Sequence, residues 1–187
     1  TLHAYSHITF IEKPALLADI NSWRSTHTPP LPEIKIIKFH RKAPFPGFNE
    51  PQLFRAVADD VFRLSQANKR FHYFLEQDMG QEPLTRSDPS LFGHSSILGK
   101  LLAYDAGYTA NDHHRTWGWS EFRVLFLAPD PTRARGILET IREPRVKNKK
   151  LFHVSDVETL AETRRHSNIL EHPWLDHLGG VHRLAAL

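Results

Sequence analysis

The stretch FRVLFLA, residues 122–128, constrains the fold more than any other part of the chain. Apart from Arg123 it is apolar at both even and odd positions. A half-exposed strand alternates, so a strand without alternation must be covered on both faces of its sheet. The flanking sequence offers the covers. After the strand, DPTRARGIL places Asp130 ahead of Pro131, an N-cap followed by proline in the first turn. Before it, Ile97, Leu98, Leu101, Leu102, Tyr104 and Tyr108 fall on one helical stripe, with Ser95 or Ser96 as the cap.

The rest of the chain fills in an α/β pattern. Pro14 opens a helix in which Leu16, Leu17, Ile20 and Trp23 recur at helical spacing, and THTPPLPE ends it. IKIIKF (Ile34 to Phe39) reads as a strand, KAPFPGFNEPQ as a loop, and Phe54 to Leu64 as one extended segment. A turn at Gln66–Lys69 then leads into a strand from Arg70 to Asp78, which makes a hairpin. GQEPLTRSDPSLFG and NDHHRTWGWS read as exposed loops, Leu151 to Val154 as a short strand, and a helix begins near Asp156. The tail NILEHPWLDHLGGVHRLAAL fits no element. The order implies a mixed central sheet with helices on its faces.

Composition narrows the classes. With 187 residues, 40% hydrophobic and 24% charged, one sizeable core and one domain are expected. Cysteine is absent, which excludes disulfide scaffolds and thiolate zinc sites and fits a reducing, cytoplasmic setting. No apolar run is long enough to span a membrane. Thr1 in place of Met suggests a part excised from a longer chain. The net charge of +3 conceals a local cluster, REPRVKNKK (Arg142 to Lys150), which suits either nucleic acid or a solvated loop.

The strand FHYFLEQDMG carries the chemistry. Glu76 and Asp78 stand at i and i+2, on one face of a strand. If the turn spans Gln66–Lys69, Ser65 faces Arg70 and Asp59 faces Glu76, so three carboxylates converge; a one-residue slip would send Asp59 to the other face. Opposed like charges are unfavourable unless they are solvated at strand ends or share a cation. All-oxygen ligands select a hard ion such as Mg²⁺ or Mn²⁺. Lys100 is the lysine of the next helix, with Tyr104 one turn on. Beside a cation, a lysine can orient water or offset charge on a phosphorane.

VADDVFRL, YFLEQDMGQEPL, SSILGKLLAYDAGY, FRVLFLAPDPTRARGIL and LFHVSD, in that order over roughly Phe54 to Asp156, resemble the plasmid replication-relaxation family, with a weaker echo in HPWLDHLGG. That family includes mobilisation relaxases. The resemblance implies an α/β restriction-endonuclease-like core of the PD-(D/E)XK type, a central mixed sheet flanked by helices. It also implies a single nuclease-like domain over 1–187 with its core at about 14–160, and an N-terminal winged helix in the longer chain. The function implied is metal-dependent nicking of plasmid or mobile-element DNA, with Asp59, Glu76 and Asp78 on Mg²⁺ or Mn²⁺ and Lys100 as a migrated lysine. Two positions depart from the family: Ala58 replaces a proline and Met79 a basic residue.

Arg133, Arg135, Arg142, Arg145 and Lys147 are candidates for phosphate contact. Other signals are weaker. NDHH with His94 lacks zinc spacing, and GHSS lacks the glycines of a nucleophile elbow. Trp117 and Trp119 either stack bases or pack on the core, and Tyr104 and Tyr108 suit core packing better than a covalent role. A non-catalytic DNA-binding or partner-binding protein on the same scaffold is the competing reading, and an unrelated α/β enzyme is a third if the register is wrong.

Overall fold

The computed structural model describes residues 8–43, 49–66, 68–85 and 95–184. In chain order the elements are β1 (Ile8–Ile11), α1 (Lys13–Ser25), β2 (Phe39–Ala43), β3 (Gln52–Ala56), β4 (Asp60–Gln66) and β5 (Lys69–Gln77). They continue with α2 (Ile97–Thr109), α3 (Asp112–Trp117), β6 (Arg123–Ala128), α4 (Pro131–Arg142), β7 (Phe152–Asp156), α5 (Val157–His166), β8 (Trp174–Leu175) and β9 (Val181–His182). The main sheet runs β1-β4-β5-β6-β7-β8-β9, and β2 pairs with β3 in a sheet of its own. β5, β6 and β7 are parallel, and the other neighbours are antiparallel. The chain is therefore α/β with a mixed central sheet flanked by helices.

The apolar stretch at 123–128 does what its pattern requires. Val124, Leu125, Phe126, Leu127 and Ala128 are all buried, lying between β5 and β7. Val124, Phe126 and Ala128 join the larger core under α1, α2, α4 and the β2–β3 hairpin. Leu125 joins a smaller cluster on the opposite face, with Phe62, Leu64, Tyr73, Trp174 and Leu184. Helix caps fall where the sequence puts them, Ser96 accepting from the Gly99 amide and Asp130 from Arg133, and the helix expected near Asp156 starts with that residue accepting from Thr159. The hairpin register is also the expected one, with Ser65 opposite Arg70 and Asp60 opposite Leu75. Residue 67 of its turn lies outside the described residues, as do 44–48 and 86–94 of the expected loops.

Three expectations give way. The strand expected over Ile34–Phe39 begins only at Phe39, because Asn21 of α1 takes both backbone groups of Ile34. A side chain has replaced the ladder there. The single extended segment over Phe54–Leu64 is two strands in two sheets, broken at Val57–Asp59. The expected exposed loop at 111–120 contains α3, although its tryptophans take the core-packing reading, with Trp117 and Trp119 buried. Trp117 meets Phe39 edge-on, and Trp119 stacks on His72 with ring centroids 4.3 Å apart. The tail adds β8 and β9 to the sheet edge beyond β7.

Phe39 is the hub of the larger core, touching Phe74, Tyr104, Trp117 and Phe122. α2 approaches it through Gly107, where an added Cβ would overlap the Phe39 ring. Gly107→Ala is therefore expected to lower stability by about 1–3 kcal/mol despite alanine's better helix propensity, read by urea unfolding. His72 and His153 give a pH signature. Burial pulls each imidazole down to about 4. The unfolded chain thus takes up protons that the folded one refuses, and stability falls as pH drops from about 6.5 to about 4. His72→Phe should flatten that loss by about 2–2.5 kcal/mol, measured as the difference in unfolding free energy between pH 7.5 and pH 4.5.

Candidate functional site

Glu76 is the last buried residue of β5 and is 1% exposed. Its side chain points to α2, where the one-turn spacing puts Lys100 and Tyr104 on one face. Lys100 Nζ lies 3.0 Å from Glu76 Oε2, and the Tyr104 hydroxyl donates to Oε1 at 2.5 Å. Burial pushes the Glu76 carboxyl above its ordinary range; Lys100 and Tyr104 pull it partly back, and Asp59 raises it again. Burial alone would lower Lys100, but Glu76 and Glu82 together hold its pKa above the usual lysine value. Tyr104, wholly buried beside that carboxylate, is raised well above the phenol range.

Asp59 reaches the same place from the break between β3 and β4. One of its oxygens accepts the Gln77 amide at 2.7 Å, standing in for a ladder acceptor that the strand no longer supplies. Its charge is felt by both Glu76 and Tyr104. The expected facing of Asp59 and Glu76 is thus carried by a side chain beyond the end of the paired register.

Asp78, expected as a third ligand, is held here by another partner. Its backbone N–H still bonds to Leu127, but its carboxylate meets Arg133 of α4 at 2.5 and 3.3 Å and also accepts the Gly80 amide. Gly80, at φ +75°, makes the turn that permits this. Arg133 also donates to the Glu82 carbonyl. Among the described residues no three His, Asp or Glu side chains are grouped to hold a metal ion. The structure therefore brings together Asp59, Glu76 and Lys100, while Asp78 fastens a loop.

That loop adds a residue the sequence reading passed over. Glu82 lies 3.2 Å from Lys100 Nζ and accepts from Ser95 at 2.7 Å. The backbone beside it is stitched to the start of α2, with the Ile97 and Leu98 amides donating to Pro83 and Leu84. Lys100 is thus shared by two carboxylates. Glu82 stands within the quoted stretch YFLEQDMGQEPL, but nothing in its spacing aims it at α2. Tyr104 was visible on the face of Lys100; it is both core and carboxylate partner.

The five expected phosphate contacts fare unequally. Arg133 is occupied by Asp78, and Arg142 and Arg145 pair with Glu139 and Glu143. Arg135 bonds the Thr132 hydroxyl, and Lys147 the Pro144 carbonyl, so neither charge is neutralised by an ion pair among the described residues. His113 stacks on Tyr108 and lies 3.2 Å from the Ser120 carbonyl, while His94 lies outside the described residues.

No family model, curated protein or solved structure matches the chain. The geometry is left to speak for itself. No helix among the described residues is long and apolar enough to cross a membrane.

Removing the cation should expose the cost of the buried acid. Lys100→Met is expected to destabilise the fold by about 3–5 kcal/mol at pH 7.5, because Glu76 loses its principal counter-charge. Without the lysine, the folded pKa of Glu76 rises further, so the folded state binds a proton that the unfolded state, titrating near 4.3, releases. The deficit relative to the parent should therefore shrink as pH falls toward 4.5, in paired urea unfolding curves.

Proposed function

We propose that the chain is a metal-dependent endonuclease domain of the nicking or relaxase type, with a restriction-endonuclease-like core related to the plasmid replication-relaxation proteins and acting on plasmid or mobile-element DNA. The observation that carries this reading is the buried Glu76 held against Lys100, with Asp59 turned to the same place. The order of elements supports it: a hairpin β4–β5, a lysine-bearing helix α2, and then β6 parallel to β5.

Asp59 and Glu76 fit a Mg²⁺ or Mn²⁺ ion, which needs only one or two protein carboxylates when water and phosphate oxygens supply the rest. Such an ion, when bound, lowers the pKa of its water and polarises the phosphate. The chain's own groups have separate tasks. Tyr104 and Lys100 fix the orientation of the Glu76 carboxylate in the absence of any ion. Lys100, still ammonium throughout the neutral range, is placed to offset negative charge on a phosphate brought to Glu76. Asp78 and Arg133 hold the loop that carries Glu82.

A second reading, a nuclease scaffold that binds DNA or a partner and cuts nothing, is favoured by one observation: Lys100 is shared between two carboxylates and Asp78 is sealed by Arg133. Nicking of supercoiled plasmid in Mg²⁺ or Mn²⁺ separates the two. Under the nuclease reading Glu76→Ala and Lys100→Ala each lose about a hundredfold or more, with folding checked by circular dichroism. Equal background cutting by parent and both variants would replace it with the scaffold reading.

A further inference from the structure

The end of the sheet opposite Glu76 carries a different chemistry. Lys69 and Arg70 start β5, Arg123 starts β6 opposite Tyr73, and Lys149 and Lys150 lie in the turn just before β7. Two grooves open there. One, of about 350 Å³, is lined by Tyr108, Arg123, Lys147, Asn148, Lys149, Lys150, Leu151 and His177, with no acid in its wall. The other, of about 410 Å³, is lined by Lys69, Arg70, Phe71, Arg123 and their neighbours, with Glu121 its one acid. Arg123 belongs to both, so the grooves adjoin.

The cations are presented by design of the backbone. Asp105 of α2 accepts the Lys147 and Asn148 amides and the Asn148 side chain, which fixes the loop ahead of β7 with its lysines outward. Lys147 and Lys149 donate to the carbonyls of Pro144 and Arg142, and neither makes an ion pair among the described residues. Lys69, Arg70 and Lys150 are exposed and make no ion pair among the described residues. Among the described residues Glu121, at 3.3 Å from Arg123, is the acid that forms an ion pair with one of these cations.

We infer that this edge is a nucleic-acid surface that grips the phosphate backbone, separate from the Glu76–Lys100 site. A row of unneutralised cations beside open grooves is the arrangement that releases counterions from a polyphosphate, and the half-buried ring of Phe71 in one groove wall adds an apolar surface against which a base can stack. An acidic protein would use the charges but not the ring. Seven residues of β5 separate Lys69 from Glu76, roughly 23 Å, about the width of a duplex. DNA held here reaches the candidate site only by running along the sheet. The inference does not depend on cleavage, since it uses neither Glu76 nor Lys100.

The test is fluorescence anisotropy with short labelled single-stranded and duplex DNA, in EDTA, across a salt series. The variant Lys69→Gln/Lys147→Gln/Lys150→Gln is compared with Lys35→Gln/Lys38→Gln/Arg164→Gln, which removes equal charge from exposed positions elsewhere, both with parental thermal melts. The parent should bind in a salt-dependent way. The edge variant should lose about tenfold or more at low salt and about 2 to 3 in the log–log salt slope, while the control stays within about twofold. Absence of binding by the parent, equal loss in both variants, or displacement of the DNA by an acidic peptide of equal charge at equal concentration would overturn the inference.

Discussion

A carboxylate that is 1% exposed at the end of a central strand is the constraint around which the rest is arranged. Leaving such a charge unpaired costs several kcal/mol, so the fold has to bring a cation and a hydroxyl to it. That requirement fixes the rotation of α2: Lys100 and Tyr104 must face β5, and the same rotation puts Gly107 on Phe39. It also fixes the loop after β5. Glu82 shares the lysine, and the Pro83 and Leu84 carbonyls receive the amides at the head of α2. Arg133 then binds the loop to α4 through Asp78, where Leu84 rests against Gly136.

The consequence is a division of the sheet into two ends with opposite electrostatics. The carboxyl end of β5 gathers Asp59, Glu76, Asp78 and Glu82, with the half-buried Lys100 and Arg133 among them. The amino ends of β5, β6 and β7 gather cations, with Glu121 the acid that pairs with one of them among the described residues. A chain whose net charge is only +3 can therefore present a strongly basic edge, because its acids are concentrated elsewhere or paired along the helices. A polyanion approaching the molecule meets the basic edge first.

What the sequence made legible was what depends on local pattern. The apolar run at 123–128, the caps at Ser96 and Asp130, the helix start near Asp156 and the hairpin register were readable because periodicity and short-range hydrogen bonds decide them. So was the meeting of Glu76 with Lys100, which needs only a strand, a helix and their order. The rest turned on long-range partners. Nothing within residues 34–39 says that Asn21 will take the backbone of Ile34, and nothing near Asp78 says that Arg133, fifty-five positions on, will bind it. The polar loop at 111–120 looked exposed although its tryptophans suited core packing; the aromatic pocket that receives Trp117 and Trp119 comes from His72, Phe39 and Phe74 of other elements. The basic edge was half visible as REPRVKNKK; that its Arg142 and Arg145 are paired, and that Lys69, Arg70 and Arg123 complete it, belongs to the tertiary fold.

Glu76 is a buried carboxyl whose charge is held by a cation. The direct measurement is titration of its side-chain carboxyl carbon by NMR, without and with Mg²⁺. A pKa above the ordinary carboxylate range in the metal-free protein, lowered when Mg²⁺ is added and unmoved by Mg²⁺ in Asp59→Asn, is the predicted result. An ordinary pKa that ignores Mg²⁺ would contradict both the burial argument and the proposed chemistry.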